Sequence, residues 1–148
     1  QLIDRIGVEM GLTFPCGKEM DYISKKGNIL NLKVPVSIKD DTWFNLSGLE
    51  NYFKKLLYDG NFNKEDVLAS LFNSISSCLL EIIVKASKMY GIQDILITGG
   101  VSANSTIREV LKNKLNRENI STYFPNIELC TDNAVGIAYL GKVKTFSR

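Results

Sequence analysis

No histidine occurs anywhere in the 148 residues. Its absence removes every Ser/His or Cys/His catalytic arrangement from within the chain. Cysteine is scarce: Cys16, Cys78 and Cys130 lie far apart, an odd number with no C-x-x-C or similar zinc spacing. Such a set reads as free thiols in a reducing compartment. No apolar stretch approaches the ~20 residues of a membrane span, and no charged segment followed by an apolar one opens the chain. Excess charge is also missing, since the net charge is +2. Nucleic-acid binding would need a local patch and not a global field. The basic residues Lys112, Lys114, Arg117, Lys142, Lys144 and Arg148 read as solvated helix faces. The expectation is a cytoplasmic protein without membrane association.

A hydrophobic fraction of 45% and a charged fraction of 23% describe one compact domain able to bury a core. The chain opens on Gln1 inside an amphipathic pattern, Leu2, Ile3, Ile6 and Met10, stopped by Gly11. A domain rarely starts inside a helix without a cap, so the expectation is the C-terminal part of a longer protein. A short helix pattern runs through Met20 and Ile23 to Gly27. Residues 29–38 alternate as in a strand, and Pro35 makes it an edge strand or part of a hairpin. Residues 40–49 read as loop, and a helix then carries Leu49, Tyr52, Phe53, Leu56 and Leu57 to Gly60.

The strongest periodic signal lies between an Asn63 cap and Gly91, with an apolar stripe from Val67 to Tyr90 that includes Cys78. After it, residues 92–98 form a continuous β-branched run, as in a strand buried on both faces. A helix from about Ser105, a second short strand over 120–125, and a helix begun at Thr131 or Asp132 complete the chain. This strand–helix–strand–helix order favours a parallel α/β sheet.

In such sheets ligands sit beyond the C-terminal ends of the strands, where the following helices expose unpaired N–H groups. The turn "TGGVSAN" (98–104) lies at that edge, and so does Asp132. Gly99 and Gly100 lack a Cβ and admit a close ligand. Asn104 can bond a ribose or phosphate edge, and Asp132 can hold a cation. Each also has a plain alternative: a tight turn explains the glycines, and Asn104 and Asp132 are both good N-caps.

"GGVSANSTIREVL" (99–111) and "YFPNIELCTDNAVGIAYLG" (123–141) closely resemble the end of the tRNA threonylcarbamoyladenosine transferase family. This is the TsaD type, long called O-sialoglycoprotein endopeptidases or glycoproteases, whose members show GGVxAN and CTDN(A/G)xMIAYAG. "LIDRIGVEMGLTFPCG" (2–17) looks like the family's AFDKxAKLLGLxYPGG, and "WFNLSGLENYF" (43–53) like its FSFSGLKT. The stretch from Asp66 to Gly100 is similar to its long helix and following strand, so the resemblance covers nearly the whole chain.

The resemblance implies an α/β chain that is part of an actin-like ATPase fold, of the sugar-kinase and actin superfamily. It would be the C-terminal lobe, with 1–90 mainly helical and 91–148 strand–helix–strand–helix, the N-terminal lobe being absent. Family members bind ATP or an adenylate and, with one divalent metal (iron or zinc), transfer threonylcarbamoyl to an adenosine beside the anticodon of tRNA. Other subunits of the threonylcarbamoylation machinery would be partners. By position, Asp4, Gly17, Asp21, Gly99, Gly100 and Asn104 match nucleotide- or substrate-binding positions, and Asp132 matches a metal ligand. No catalytic residue is assigned. The family's other metal ligands are a histidine pair in the missing lobe, so the isolated chain is expected to be inactive. It is also expected to expose apolar surface and to self-associate through it.

Two departures stand out: Cys16 replaces the first glycine of PGG, and Glu50 replaces the lysine after SGL. The first puts a side chain where a ligand should approach, and the second reverses a charge. They keep open a diverged non-catalytic scaffold or partner subunit, beside a third reading as an actin-like ATPase or sugar kinase with another substrate. In the intact protein, Asp132→Asn should lower bound metal and leave the fold nearly unchanged. Metal analysis beside circular dichroism checks this, and normal metal loading would remove Asp132 from the site.

Overall fold

The computed structural model describes residues 1–35, 37–39, 43–131 and 134–146. In chain order they form α1 (Leu2–Glu9), α2 (Gly17–Ser24), β1 (Ser37–Lys39), β2 (Trp43–Asn45), α3 (Ser47–Asp59), α4 (Lys64–Tyr90), β3 (Asp94–Leu96), α5 (Ser105–Arg117), β4 (Ser121–Tyr123) and α6 (Ala134–Phe146). Short 3-10 turns at Gly100–Ala103 and Ile127–Leu129 precede α5 and α6.

The long helix α4 forms for the reasons its sequence announces. Asn63 Oδ1 accepts the Asp66 N–H at 2.7 Å, Glu65 and Asp66 occupy the first turn, and Gly91 ends the helix at φ 66°. Its stripe of Val67, Leu68, Leu71, Phe72 and Ile75 is buried. Against it pack Ile6 of α1, Met20 of α2, Leu49 and Phe53 of α3, and Ile107, Leu111 and Leu115 of α5. Each fully buried side chain of this size contributes roughly 1.5–3 kcal/mol. The helices therefore carry the core, and the short strands add little to it.

By length and composition α4 is apolar enough to cross a membrane, with a mean hydropathy of 1.9 over its most apolar window. This corrects the expectation that no stretch approaches a span. Half of that window is buried inside the protein, because the apolar stripe is the core contact itself. Cys78 lies in this stripe at 3% exposure, and burial, then Glu81, pushes its thiol pKa up.

The strand expected over 29–38 is largely absent. Asn28 N–H donates to Asp66 Oδ1 at 2.6 Å and Leu30 N–H to Ser70 Oγ at 2.8 Å. Backbone donors that a ladder would need are thus taken by side chains of α4. Among the described residues of this segment only Ser37–Lys39 pairs, antiparallel to Trp43–Asn45, with Ile38 opposite Phe44. The hairpin alternative holds, but Trp43–Asn45 is its second strand and not loop. Asp40 and Asp41 lie outside the described residues.

Strands β3 and β4 pair in parallel, with Asp94, Ile95 and Leu96 opposite Ser121, Thr122 and Tyr123. Helix α5 is the crossover between them, as the element order requires. The expectation of a strand buried on both faces fails: Leu96 is 67% exposed, while Ile95 and Ile97 pack on the core. One face is covered by helices and the other lies open. Helix α6 is present but its Val135, Ile137, Tyr139 and Leu140 are all exposed.

Candidate functional site

The start of α5 is where the sequence-predicted residues meet. Asn104 has extended backbone (φ −64°, ψ 124°) and caps the helix, its Oδ1 accepting the Ile107 N–H at 2.9 Å. Asp21, projecting from α2, takes the rest of the first turn. Its Oδ2 accepts from Ser105 N–H at 3.1 Å and Ser105 Oγ at 2.8 Å. Its Oδ1 faces Thr106 N–H at 3.5 Å and Thr106 Oγ1 at 3.4 Å. Lys25 Nζ lies 3.8 Å from the same carboxylate.

This overturns the expectation that α5 presents unpaired N–H groups to a ligand. Ser105, Thr106 and Ile107 already have acceptors, and one of these is an anion. A second anion at this helix end would meet a carboxylate and not a free dipole. The plain N-cap reading of Asn104 is correct for its oxygen. Its nitrogen is another matter: Asn104 is 7% exposed, and Nδ2 has no hydrogen-bond partner among the described residues. A buried donor left unmatched costs about 1–3 kcal/mol, so it is the atom here that a ligand would satisfy.

Gly99 and Gly100 open the 3-10 turn that Asn104 closes. Gly99 has φ 91°, a conformation that favours glycine, and the space where a Cβ would stand at either residue is empty for 4 Å. Gly17 is equally open at the first position of α2, one helical turn before Asp21. Asp4 belongs to the same chain of contacts by one remove. Its Oδ1 accepts the Cys16 N–H at 2.9 Å where α2 begins. It also lines a surface groove of about 560 Å³ with Arg5, Glu9, Phe14 and Lys54. Asp132 lies outside the described residues. Two residues before it, Cys130 is described, and its Sγ is 3.3 Å from Ser102 Oγ. The two β-to-α junctions therefore meet on one rim.

Both departures from the motifs are absorbed inside the fold. Cys16 is fully buried and packs in the core cluster. A methyl placed on Gly7 of α1 would lie 2.6 Å from Cys16 Sγ and 2.8 Å from Met20 Sδ. The motif has alanine where this chain has Gly7 and glycine where it has Cys16. The thiol thus fills the volume that the missing alanine methyl vacates. Burial, then the charges of Asp4 and Glu19, pushes the Cys16 pKa up, which keeps it a thiol and not a nucleophile. Glu50 is neutralised by Arg5 Nη1 and Lys54 Nζ, each at 3.2 Å, and Lys54 also reaches Glu9 at 3.0 Å. Its reversed charge is balanced locally.

Sequence reasoning missed Arg108, Ser102 and Cys130. Arg108 sits in the first turn of α5, where the helix dipole disfavours a cation. That misplaced charge was the available signal. The described residues hold no group of three side chains able to bind a metal. The arrangement offers positioning through a donor and open backbone; it has no acid–base pair.

The chain matches, over residues 1–139, the model of the family described as TsaD, tRNA N6-adenosine threonylcarbamoyltransferase. A protein of that name from Sulfurihydrogenibium sp. (strain YO3AOP1) is 34% identical over 145 residues, which cover 95% of this chain and 42% of that protein. One from Clostridium botulinum (strain 657 / Type Ba4) is 35% identical over 154 residues, 97% of this chain and 45% of the relative. The chain therefore spans less than half the length of these curated relatives. Among solved structures, T. kodakarensis HypF superposes with a TM-score of 0.64 at 20% identity, over 88% of this chain and 17% of the other. That likeness concerns fold alone.

The Gly7–Cys16 exchange makes a testable pair. Gly7→Ala should overpack α1 at a cost of about 1–3 kcal/mol, offset in part by a helix-propensity gain of about 1 kcal/mol. Adding Cys16→Gly should recover the overpacking term. Urea unfolding of the two single variants and the double variant measures the coupling. Additive effects would show that the two residues do not share this volume.

Proposed function

This chain belongs to the tRNA N6-adenosine threonylcarbamoyltransferase family, and from that premise we propose that it is the C-terminal lobe of an actin-like ATPase fold. In this reading the intact protein binds ATP or a threonylcarbamoyl-adenylate and transfers the threonylcarbamoyl group to an adenosine of tRNA. The isolated chain is inactive, because it spans less than half of its relatives and carries no histidine. Other subunits of the modification machinery, and self-association through the exposed α6 face, belong to the same proposal.

The observation that carries the reading is the buried Asn104 Nδ2, which has no partner among the described residues, in the same turn as the open Gly99–Gly100 backbone. An acyl adenylate arrives already activated. The protein's task is then to hold donor and acceptor in a reactive geometry. Asn104 supplies one N–H to the adenylate. The neighbouring Asp21 carboxylate favours an uncharged acceptor for it, such as a ribose hydroxyl, over a phosphate oxygen. Gly99, Gly100 and Gly17 allow the ligand close to the backbone. Asp4 and Asp21 set the starts of α2 and α5 on which these glycines and Asn104 are mounted.

The residues described do not form a metal centre by themselves. Asp132 is the one residue that the motif assigns to an iron or zinc ion, whose other ligands would come from elsewhere in the intact protein. This chain's own part is binding and positioning. The case for a non-catalytic relative rested on Cys16 and Glu50. Burial of the first and ion-pairing of the second show that the fold accommodates both; the histidine pair of the remaining lobe is what separates the two readings.

Asn104→Ser separates cap from ligand contact, because serine caps as well as asparagine and lacks Nδ2. In the intact protein it should weaken AMP binding by about 3–10-fold, the worth of one ordinary hydrogen bond, with an almost unchanged melting temperature. Isothermal calorimetry beside thermal unfolding checks this. Wild-type AMP affinity in the variant would leave Asn104 a cap and nothing more.

A further inference from the structure

The last bond of the β3–β4 ladder runs from Ile97 N–H to Tyr123 O at 2.9 Å. Beyond it the two strands diverge into separate junctions, the glycine turn on one side and the loop 124–131 on the other. Among the described residues, the hydrogen bonds that rejoin them all run to Arg108 or Cys130. Arg108 Nε donates to Ser102 O in the turn. Its Nη2 donates to Pro125 O at 2.7 Å and to Cys130 Sγ at 3.0 Å. The guanidinium carbon lies 5.0 Å from the centre of the Phe124 ring. Ser102 Oγ donates to Gly99 O at 2.7 Å and sits 3.3 Å from Cys130 Sγ.

We infer that Arg108 is a positioning residue that locks the glycine turn to the loop after β4, and so sets Asn104 against the segment leading to Asp132. The inference rests on the nucleotide-binding reading above. Arg108 acts through its neighbours: its Nε and Nη2 are spent on two carbonyls and a sulfur. A planar fork with separate Nε and Nη donors can reach both segments at once, whereas a lysine ammonium is a single point on a flexible stem. The position supports this role. Arg108 lies one helical turn after Asn104, so a shift of the arginine moves the cap and its free Nδ2 together. Cys130 is 3% exposed, shielded in part by the same guanidinium, which makes its thiol a reporter of the lock.

The experiment uses the intact protein with Arg108→Lys, which keeps the charge and loses the fork. AMP affinity is measured by calorimetry, and N-ethylmaleimide labelling of Cys130 by mass spectrometry, with Cys78 as the internal control. The expected result is AMP binding weakened about tenfold, as for loss of a charged hydrogen bond, with Cys130 labelled several-fold faster and Cys78 unchanged. Should Arg108→Lys fail to fold, Ser102→Ala, which removes the hydroxyl between Gly99 and Cys130, carries the same test. Unchanged AMP affinity overturns the inference, and so does labelling that rises equally at Cys78 and Cys130, which marks general loosening. A wild-type protein that binds no AMP sinks the nucleotide reading, while the Cys130-to-Cys78 labelling ratio still supports or overturns the lock.

Discussion

The first turn of α5 leaves backbone N–H groups without helical partners, and the way they are satisfied organises this protein. Asn104 takes one through its own cap, and the Asp21 carboxylate takes the bonds of Ser105 and Thr106 from a helix more than eighty residues earlier in the chain. The same pairing therefore joins the N-terminal helices to the crossover of the parallel sheet. Asp4 repeats the device one step back, holding the Cys16 N–H where α2 begins. Acidic and amide side chains that look like ligand contacts are spent on helix ends. What they leave over, among the described residues, is one buried nitrogen and a patch of bare glycine backbone.

That division explains why two conspicuous departures from the family motifs cost the fold so little. A cysteine in place of glycine would obstruct a site if its side chain followed the ligand approach. Here it turns inward because α1 has a glycine opposite it, so the extra volume is exchanged and not added. A glutamate in place of lysine would repel an anion if it stood alone. Arg5 and Lys54 instead hold it between them. In both cases the neighbour that absorbs the change is distant in sequence and adjacent in space.

The uneven burial of the molecule fits a lobe of a larger fold. The helical half packs around α4 into a closed apolar cluster. The parallel strands expose Leu96 and Tyr123, and α6 exposes Val135, Ile137, Tyr139 and Leu140. Parallel sheets are ordinarily covered on both faces, and a helix that is apolar all round is ordinarily buried. Exposed apolar surface of this extent is what the proposed lobe would present to the rest of the intact protein.

Sequence alone determined α4 with its Asn63 cap and Gly91 stop, and α5 with its Asn104 cap, because a 3.6-residue stripe and the residues that bound it are local facts. It also determined the β–α–β order, and hence the parallel pairing of β3 with β4, since a helical crossover leaves little choice of direction. It could not determine that Asn28 and Leu30 would spend their N–H groups on Asp66 and Ser70, or that the pairing would be confined, among the described residues, to Ser37–Lys39. Nor could it show that Asp21 would close the helix end that Asn104 opens, or that Arg108 would bridge two junctions. Those outcomes depend on which donors and acceptors become neighbours once the core has closed. Hydrogen bonds reach about 3 Å, and only the tertiary fold brings residues so far apart in the chain within that distance.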